Sequence, residues 1–415
     1  MAQDKNQKTL NVPPLRFPGF KDEWERVKVS DLLNFYSTNS LSWEMLNYED
    51  GDIQNLHYGL IHSGLPTLID LQRDTMPFVN ETAKPKKFTL CKEGDIAFAD
   101  ASEDTNDVAK AVEFINLNGQ QVISGLHTIH GRDNENKTVL GFKGYAFASS
   151  AFHNQIRRIA QGTKIYSISS KSFDEVFISI PNKAEQTKIA RLLHLIDERI
   201  TTQNKIIDHL QSLIKGLAKT HYDSCPTLHS VKIRELGEPY TVMNLSKEQL
   251  SDSGVPCILY GELFTHYGPV IEDVISKTNV TSDLTLSRGK DLLFPSSTTV
   301  DALSLIAPSA LTKPNIILGG DMFGIKVSDD YSPEYLSLYF NYIGQRDLAK
   351  YAIGSTIIHL HYKDIAEHII RIPSIGEQQR FVKLASFVKR KIDVEKSILH
   401  NLTEMMAYLL KNMFI

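Results

Sequence analysis

The sequence predicts a mixed α/β (α+β) protein made of two copies of one unit, each a globular head followed by a long helix. The first observation is a repeated element: residues 180–186 read IPNKAEQ, and 192 positions later residues 372–378 read IPSIGEQ. The second is the apolar pattern behind each copy, which alternates steps of three and four residues. Such a heptad pattern is typical of a helix that buries a narrow stripe against a partner helix. A repeat of this length predicts a duplicated architecture.

Five segments follow one another along the chain. Residues 1–14 are polar and then Pro-containing, which predicts a flexible lead-in. Residues 15–180 form the first predicted head, and residues 181–223 the central long helix. Residues 224–372 form the second head, and residues 373–415 the C-terminal long helix.

Both heads show the same order of predicted elements. Short alternating or apolar runs predict strands at residues 26–29, 95–98 and 176–180. One helix is predicted at residues 144–160, with Gly162 as its C-terminal stop, and a helix at residues 333–352 precedes Gly354 in the second half. The loops of the two heads have diverged more than the helices. Two different binding specificities explain this divergence, and neutral drift of exposed loops explains it equally well.

Each long helix has its own start signal. Asn182 with Glu185, and Ser374 with Glu377, have the spacing of a capping box, and a proline precedes each pair. A helix of about 40 residues would be roughly 60 Å long at 1.5 Å per residue. Because an isolated helix with an apolar stripe needs a partner, we expect the two helices to pack together.

Both heptad seams have one polar break at the same position of the repeat. The first seam consists of Ile189, Leu193, Ile196, Ile200, Gln203, Ile207 and Leu210, and the second of Phe381, Val388, Ile392, Glu395, Leu399 and Leu402. In an antiparallel pair the breaks Gln203 and Glu395 meet, and a buried polar pair fixes the register at a cost in stability. Because each helix leaves its own head, we predict an antiparallel coiled coil with a pseudo-two-fold axis. The alternative is that each helix packs only on its own head.

Charge and composition restrict the classes of function. The net charge is −4; residues 1–180 carry 19 basic and 23 acidic side chains, and residues 224–372 carry 12 and 17. Any contact with nucleic acid must therefore come from a local patch. Neither a signal peptide nor a membrane-spanning run is visible in the sequence. Three cysteines without metal-ligand spacing fit a reduced compartment, so we expect a cytoplasmic protein.

The sequence lacks the usual enzyme motifs. Neither an Asn/Asp-Pro-Pro-aromatic tetrapeptide nor a Gly-x-Gly loop after a strand nor a phosphate loop is present, so we expect the chain to bind no cofactor. The best enzyme-like cluster is His359, His361, Asp364 and His368. It would support a metal-dependent hydrolase as an alternative function. The matching positions of the first half are Ser167 and Ser169, which cannot ligate in the same way, so we expect no metal.

Taken together, these elements resemble the specificity (S) subunit of a type I restriction-modification enzyme. The similar parts are the paired Ile-Pro-x-x-x-Glu-Gln openings, the long helices, the Gly162-Thr163 and Gly354-Ser355 elements, and the stretch 15–20 (LRFPGF) with Trp24. The resemblance covers the chain after the lead-in. It implies that each head is a target-recognition domain that reads one half of a bipartite site in double-stranded DNA. It also implies that the antiparallel helices dock two modification (methyltransferase) subunits and that their length sets the gap between the half-sites.

In that family the partners carry the chemistry. The resemblance implies that the two methyltransferase subunits bind S-adenosylmethionine and methylate adenine, and that separate restriction/translocase subunits cleave DNA. This chain would then be a non-catalytic recognition subunit without a membrane partner. The non-enzyme alternative is a duplicated protein–protein adaptor that does not bind DNA.

Candidate DNA contacts are basic or hydroxyl side chains, turn glycines that expose backbone N–H groups, and a tyrosine at the same loop position of each half. In the first head they are Tyr58, Lys84, Lys86, Lys87, Arg157, Arg158, Gly162, Thr163 and Lys164. In the second head they are Tyr260, Lys277, Thr278, Arg288, Lys290, Ser296, Ser297, Thr298, Gly354, Ser355 and His361. A packed tyrosine and a solvated lysine loop are the alternative interpretations.

Overall fold

The structure, a computed structural model, describes residues 10–415 and divides the chain into two compact units. Unit 1 combines the residues up to Asn204 with Ser397–Ile415, and unit 2 is Lys205–Lys396. Each unit therefore contains one head and one part of each long helix. The long helices are α5 (Lys183–Ser224) and α11 (Ile375–Asn412).

The first head consists of short strands with four small helices. Its helices are α1 (Val29–Leu32), α2 (Tyr58–Ser63), α3 (Phe142–Ala148) and α4 (Ser150–Ile159). Its strands are β1 (Glu25–Lys28), β2 (Asn34–Tyr36), β3 (Leu46–Asn47), β4 (Ile53–Leu56), β5 (Leu68–Asp70), β6 (Phe78–Val79), β7 (Ile96–Ala99), β8 (Ala101–Ser102), β9 (Ala111–Asn116), β10 (Gln121–Ser124), β11 (Thr128–Arg132), β12 (Tyr166–Ser167) and β13 (Phe177–Ile180).

The second head is built in the same way. Its helices are α6 (Glu262–Thr265), α7 (Ala302–Leu305), α8 (Pro333–Tyr342), α9 (Gln345–Ala349) and α10 (Tyr362–Ile365). Its strands are β14 (His229–Lys232), β15 (Gly237–Thr241), β16 (Leu250–Ser251), β17 (Val255–Leu259), β18 (Val270–Ile271), β19 (Lys277–Thr278), β20 (Thr285–Arg288), β21 (Asp291–Pro295), β22 (Ser297–Thr298), β23 (Ser309–Leu311), β24 (Pro314–Gly319), β25 (Met322–Val327), β26 (Ile358–His359) and β27 (Ile369–Ile372).

The sheets repeat between the heads strand by strand. The five-stranded order β2-β11-β7-β9-β5 of the first head returns as β15-β25-β21-β23-β18 in the second. A second sheet, β10-β4-β6-β3, returns as β24-β17-β19-β16 with β20 added at its edge. The pairs β1-β13 and β12-β8 return as β14-β27 and β22-β26. The predicted mixed α/β heads and their internal repeat are confirmed.

An aromatic core lies beneath the five-stranded sheet of each head. Phe98 on β7 packs against Phe147 and Phe152, with ring centroids 4.9 and 6.1 Å away. In the second head Phe294 on β21 packs against Phe340 on α8, with centroids 5.6 Å apart. These buried rings hold the helices that follow the sheet against one of its faces.

The single helix predicted in this part of each head is broken in two. Ser149 separates α3 from α4 because its backbone is extended and its hydroxyl accepts a hydrogen bond from the amide of Phe152. The hydroxyl thus satisfies an amide at the start of α4. In the second head the predicted helix 333–352 is interrupted at Ile343 and Gly344, between α8 and α9.

The long helices run antiparallel, as the contacts inside each unit show. In unit 2, His221 near the end of α5 stacks on Phe381 near the start of α11, with ring centroids 4.8 Å apart. In unit 1, Ile189 and Leu193 near the start of α5 share a buried cluster with Leu409 near the end of α11. The alternative of helices packed only on their own heads is therefore wrong.

All predicted seam positions are buried or half-buried, including the polar Gln203 and Glu395. The predicted pairing between these two residues stays a prediction. Within residues 10–415, no helix is long and apolar enough to cross a membrane.

The structure explains the glutamine of the repeated Glu-Gln pair, which sequence spacing alone did not. Gln186 accepts a hydrogen bond from the amide of Val139 (2.8 Å) and donates to the carbonyl oxygens of Lys137 (3.1 Å) and Pro181 (2.8 Å). Its side chain thereby joins a loop of the head to the start of α5. The side chain is buried, so its amide must be satisfied within the protein.

Gln378 makes the matching connection in unit 2. It accepts from the amide of Ser332 (3.0 Å) and donates to the carbonyl oxygen of Pro373 (2.8 Å). Both glutamines are 1% exposed. The recurrence of this buried contact explains why the motif is retained in both copies.

The predicted capping boxes are only partly formed. Asn182 accepts from the amide of Glu185 at 3.0 Å, as an N-cap does. The carboxylate of Glu185, however, receives two hydrogen bonds from Arg16, at 2.6 and 2.7 Å. In the second copy the carboxylate of Glu377 pairs with Arg380 at 2.6 Å. Both carboxylates therefore bind cations instead of completing a reciprocal box.

Residues 11–20 close unit 1. The amide of Leu15 donates to the carbonyl oxygen of Asn412 at 2.9 Å, and Asn11 donates to the carbonyl oxygen of Trp24 at 2.6 Å. Trp24 in turn packs edge-on to Phe414. The flexible lead-in was predicted for residues 1–14. Its first nine residues lie outside the described part, and Asn11 is the lead-in residue that takes part in these contacts. The flexibility of the lead-in stays a prediction.

Replacing either buried glutamine should weaken the attachment of its head. We expect Gln186→Ala and Gln378→Ala each to lower the free energy of unfolding by about 1–3 kcal/mol, because each leaves buried backbone groups without partners. Urea unfolding followed by circular dichroism measures the change. Gln379→Ala, next to Gln378 but exposed, is the matched control and should be neutral. Equal stability of the control and either buried variant would contradict the assignment.

Candidate DNA interfaces and helix surfaces

Each head carries a hairpin of the same shape shortly before its long helix. Hairpin 1 (residues 161–167) is closed by two backbone hydrogen bonds between Gln161 and Ser167, at 3.1 and 2.8 Å. Hairpin 2 (residues 353–359) is closed by Ile353 and His359, at 2.9 and 2.8 Å. Both the location and the hydrogen bonding recur at the 192-residue offset.

Only glycine fits the first turn position of either hairpin. Gly162 and Gly354 both have φ +142°, and a Cβ atom would lie 1.8 and 2.0 Å from the carbonyl oxygens of Ile165 and Ile357. Gly162 was predicted to stop a helix. That prediction is wrong, because α4 ends at Ile159 and the glycine shapes the hairpin turn.

In the first head, several candidate residues are gathered around β8. Tyr58 at the start of α2 contacts the rings of His62 and His127 edge-on, with centroids 5.9 and 5.2 Å away. The Nε2 atom of His62 lies 3.0 Å from the carbonyl oxygen of Ala101 in β8. Strand β8 also pairs with β12 of hairpin 1. The tyrosine and the hairpin therefore border the same strand.

The basic candidates of this region are exposed. Arg157 donates to Asn106 at 2.6 Å, in the loop that follows β8. Arg158, Thr163 and Lys164 are exposed on α4 and hairpin 1. The structure thus brings the end of α4, β8 and hairpin 1 together.

The three lysines of residues 84–87 differ in how available they are for contact with DNA. Lys84 forms ion pairs with Asp52 (2.7 Å) and Glu81 (2.6 Å), which hold the pKa of this lysine above its usual value. Lys86 and Lys87 are exposed. Within residues 10–415, Lys86 and Lys87 form no ion pair, and exposed charge of this kind is what phosphate contact needs.

In the second head, a groove of about 740 Å³ gathers the matching candidates. Tyr260, Ser297, Thr298 and Ile357 line it. Strand β22 (Ser297–Thr298) pairs with β26 of hairpin 2, so the groove lies beside Gly354 and Ser355. His361 is exposed close by, with its ring 6.1 Å from that of His359. Several hydroxyl-bearing side chains line the groove, whereas aromatic rings surround the equivalent tyrosine, Tyr58, in the first head.

Two further basic candidates lie elsewhere in the second head. The guanidinium of Arg288 lies over the ring of Tyr240, 4.4 Å from its centroid. Lys290 pairs with Asp329 at 2.5 Å. Neither residue lines the groove beside hairpin 2.

The last three candidates differ in burial. Thr278 is buried and donates its hydroxyl to the carbonyl oxygen of Gln249 at 2.7 Å, and Ser296, which directly precedes β22, is also buried. These two hydroxyls cannot reach a ligand without rearrangement. Lys277, which pairs with Ser251 of β16, is exposed.

An aromatic cluster beside Tyr58 was missed at the sequence level. Trp43 packs on His57 with centroids 4.3 Å apart, and His57 packs on Tyr58 at 4.7 Å. Trp43 is 45% exposed despite its size. Trp43 comes from a different segment than the consecutive residues His57 and Tyr58, so no local pattern indicated the cluster.

His57 is held in its neutral form by its surroundings. Burial, and then the charge of nearby His127, lower the pKa of His57 below the ordinary histidine value of 6.5. The Nδ1 atom accepts a hydrogen bond from the amide of Gly59 at 3.1 Å and so caps α2. A proton on Nδ1 would remove this acceptor.

The histidine cluster considered for a metal does not converge. The amide of His361 donates to Asp364 at 3.0 Å, and the Nδ1 atom of His368 lies 3.2 Å from the hydroxyl of Tyr351. Within residues 10–415, the one group with metal-ligand proximity is Cys91, Asp95 and His130. The four residues that motivated the metal-dependent hydrolase alternative are not in this group.

The buried group around Asp95 has a structural explanation. Its carboxylate receives hydrogen bonds from Arg132 at 2.6 and 2.7 Å and lies 2.7 Å from Nε2 of His130. Burial raises the pKa of Asp95, but the bonds from Arg132 and His130 outweigh it, so the net pKa is lowered. Burial also raises the pKa of the Cys91 thiol, which keeps it protonated. The hydrogen bonds of the group connect β7, which follows Asp95, with β11, which contains His130 and Arg132.

The long helices expose apolar side chains away from their seam. In unit 1 these are Leu195, Met405 and Tyr408, and in unit 2 they are Leu213, Leu384, Phe387 and Val394. Two pairs of them, Leu195 with Phe387 and Leu213 with Met405, are equivalent positions 192 residues apart. Exposed apolar side chains thus recur at equivalent positions of both helices.

The family comparison matches both halves of the molecule. The family described as "Type I restriction modification DNA specificity domain" matches residues 21–212 and again residues 231–404. The chain belongs to this family. The type I specificity subunit resemblance, based on the repeated motif and the helices, is therefore confirmed.

Individual members of the family are distant in sequence. The type I restriction enzyme EcoKI specificity subunit of Escherichia coli (strain K12) is 22% identical over 298 residues, which cover 64% of this chain and 63% of that protein. The match thus spans less than two thirds of the relative. A type I S subunit structure from M. genitalium superimposes with a TM-score of 0.56 and 17% identity, covering 97% of this chain and 99% of that chain.

A second solved structure shows the same fold. It comes from work on complex assembly and conformational transition of the type I restriction-modification system and has a TM-score of 0.55 at 14% identity. It covers 96% of this chain and 98% of its own. Both similarities establish the type I S subunit fold over nearly the full chain.

The lowered pKa of His57 predicts a pH-dependent stability for unit 1. Because the folded state binds this proton more weakly than the unfolded state, the stabilisation is complete above pH 6.5 and is lost as the pH falls towards the lower folded pKa. We expect the urea concentration at the unfolding midpoint to be lower at pH 5.5 than at pH 7.5.

His57→Asn should reduce this fall, because asparagine can also cap α2 and does not titrate there. His266→Asn, at an exposed position of the second head, is the control and should leave the pH dependence unchanged. An unchanged pH dependence in His57→Asn would contradict the role of this histidine.

Proposed function

We propose that this chain is the DNA sequence-specificity subunit of a type I restriction-modification complex. It reads a bipartite site in double-stranded DNA with its two heads and docks two methyltransferase subunits through its helices. The observation that carries the proposal is the pair of equivalent hairpins, each beside a tyrosine-bearing segment. The same scaffold surrounds different side chains in the two heads, as two readers of different half-sites require.

The chemistry of the complex is assigned to the partners. S-adenosylmethionine is expected on the methyltransferase subunits, and cleavage on separate restriction/translocase subunits. We propose that this chain has no catalytic turnover of its own and acts in the cytoplasm, where it meets DNA. Membership of the type I specificity-domain family supports this division of labour.

The outer helix surfaces support the docking of two partners. Equivalent exposed residues occur once in each unit, Leu195 in unit 1 and Phe387 in unit 2. A pseudo-two-fold repeat of one surface fits two copies of one partner. Exposed Leu, Phe, Met and Tyr side chains are the residue types that interfaces bury.

Selection from a random duplex library tests the DNA-binding part of this proposal. The full-length chain, co-expressed with a type I methyltransferase subunit, should enrich a split motif. We expect Gly162→Ala to lose the conserved bases of one half-site and Gly354→Ala those of the other, because a Cβ atom cannot fit either hairpin turn.

Gly216→Ala is the matched control. This glycine lies within α5, and a Cβ atom there meets no atom within 4 Å. The control should enrich both half-sites. Enrichment of no motif by the wild-type complex would instead favour the duplicated adaptor that does not bind DNA.

Charged substitutions on the outer helix surfaces test the docking part. We expect Leu195→Glu and Phe387→Glu each to reduce the complex from two methyltransferase subunits to one, because each places a charge in one apolar interface. Native mass spectrometry measures the stoichiometry. Leu140→Glu and Ile275→Glu change exposed apolar residues of the heads and should leave two subunits bound. Two bound subunits in the double variant Leu195→Glu/Phe387→Glu would show that docking occurs elsewhere.

A further inference from the structure

The tips of hairpins 1 and 2 carry an exposed isoleucine at the same position. Ile165 is 60% exposed and Ile357 is 50% exposed, at positions exactly one repeat apart in hairpins 1 and 2. A single exposed apolar residue needs no explanation. An isoleucine at the same tip position of both hairpins does need an explanation, because its neighbours differ. The two preceding residues are Thr-Lys in one hairpin and Ser-Thr in the other.

The rigid turn places this side chain in a defined position. The carbonyl oxygen of each isoleucine lies where a Cβ atom of Gly162 or Gly354 would be, so the backbone of glycine and isoleucine is closely packed across the turn. Backbone pairing at the base of each hairpin fixes the tip relative to β8 or β22. The isoleucine is therefore presented on a rigid support, as a side chain that contacts a ligand should be.

The surroundings of the two tips indicate which ligand feature they share. Around hairpin 1 lie Arg157, Arg158 and Lys164, which are exposed, whereas Ile357 lines a groove with the hydroxyls of Ser297 and Thr298. Residues that differ in this way suit different base sequences. An apolar side chain common to both heads must contact something that both half-sites contain.

We propose that Ile165 and Ile357 are wedges, each of which inserts between two stacked bases of its half-site and opens that base step. This inference rests on the proposed function and extends it to a defined contact. Apolar side chains that enter a base step unstack it regardless of sequence, which fits a residue that both heads share. Contact with a thymine methyl group would instead be a sequence-specific reading.

Fluorescence of 2-aminopurine tests the wedge directly. The full-length chain, assembled with its methyltransferase subunits, is bound to the duplex that the wild type selects, and the probe is moved through each half-site. We expect a rise in fluorescence at one step of each half-site. Ile165→Ala should abolish the rise in the half-site that Gly162→Ala loses, and Ile357→Ala should abolish the other, each with about a tenfold loss of affinity.

Matched variants separate the wedge from a general effect on folding. Ile165→Leu and Ile357→Leu keep an apolar side chain and should retain the rise, whereas Ile165→Thr and Ile357→Thr keep the branched shape but should lose it. Leu140→Ala and Ile275→Ala remove exposed apolar side chains of the heads away from the hairpins and should change nothing.

Three results distinguish failure of this inference from failure of the proposed function. If the wild type selects a split motif but the rise persists in both alanine variants, or is absent from the wild type, the wedge is wrong. If replacing thymine by uracil reproduces the loss caused by Ile165→Ala or Ile357→Ala, the contact is with a methyl group. If the wild type selects no motif, the proposed function itself fails.

Discussion

The structure depends on the burial of each helix by a part of the chain far away in sequence. In unit 1, Ile189, Leu193 and Ile196 of α5 share their buried cluster with Met406 and Leu409 of α11 and with Met413, which follows that helix. The cluster also contains residues of the first head, among them Phe142 and Tyr145. A long amphipathic helix without a partner is only marginally stable. Residues 397–415 therefore form part of the buried core of unit 1.

The same constraint explains where the motif residues lie. Gln186 and Gln378 hold a loop of each head at the start of its helix, and Arg16 neutralises the buried Glu185 beside it. A buried carboxylate is costly unless it is paired, and a buried amide is costly unless it is bonded. These polar contacts set the attachment of head to helix, while the apolar seam residues are buried or half-buried.

A rigid attachment leaves specificity to the surfaces that the scaffold presents. The aromatic side of the first head and the hydroxyl-lined groove of the second are built on the same strands and the same hairpin. This arrangement permits the loops to change without disturbing the core, because the side chains that differ lie outside the aromatic cluster around Phe98 or Phe294. The partner-facing helix residues and the hairpin residues are likewise on different elements, so docking and reading can be altered separately.

The sequence by itself determined the duplication, the two long helices, their seam and the mixed α/β heads, because periodicity and repetition are local or internal signals. It also indicated the hairpin glycines and the equivalent tyrosines. Only the tertiary structure decided that Ser149 splits a predicted helix, that Glu185 binds Arg16, and that Lys84 is engaged in ion pairs. The assembly of Trp43, His57 and Tyr58 was equally invisible to local patterns. The pairs Arg16–Glu185 and Lys84–Asp52 and the contact of Trp43 with His57 join residues that are distant along the chain, whereas Ser149 caps a nearby amide. The energies of all these contacts depend on burial and partners that only the folded molecule defines.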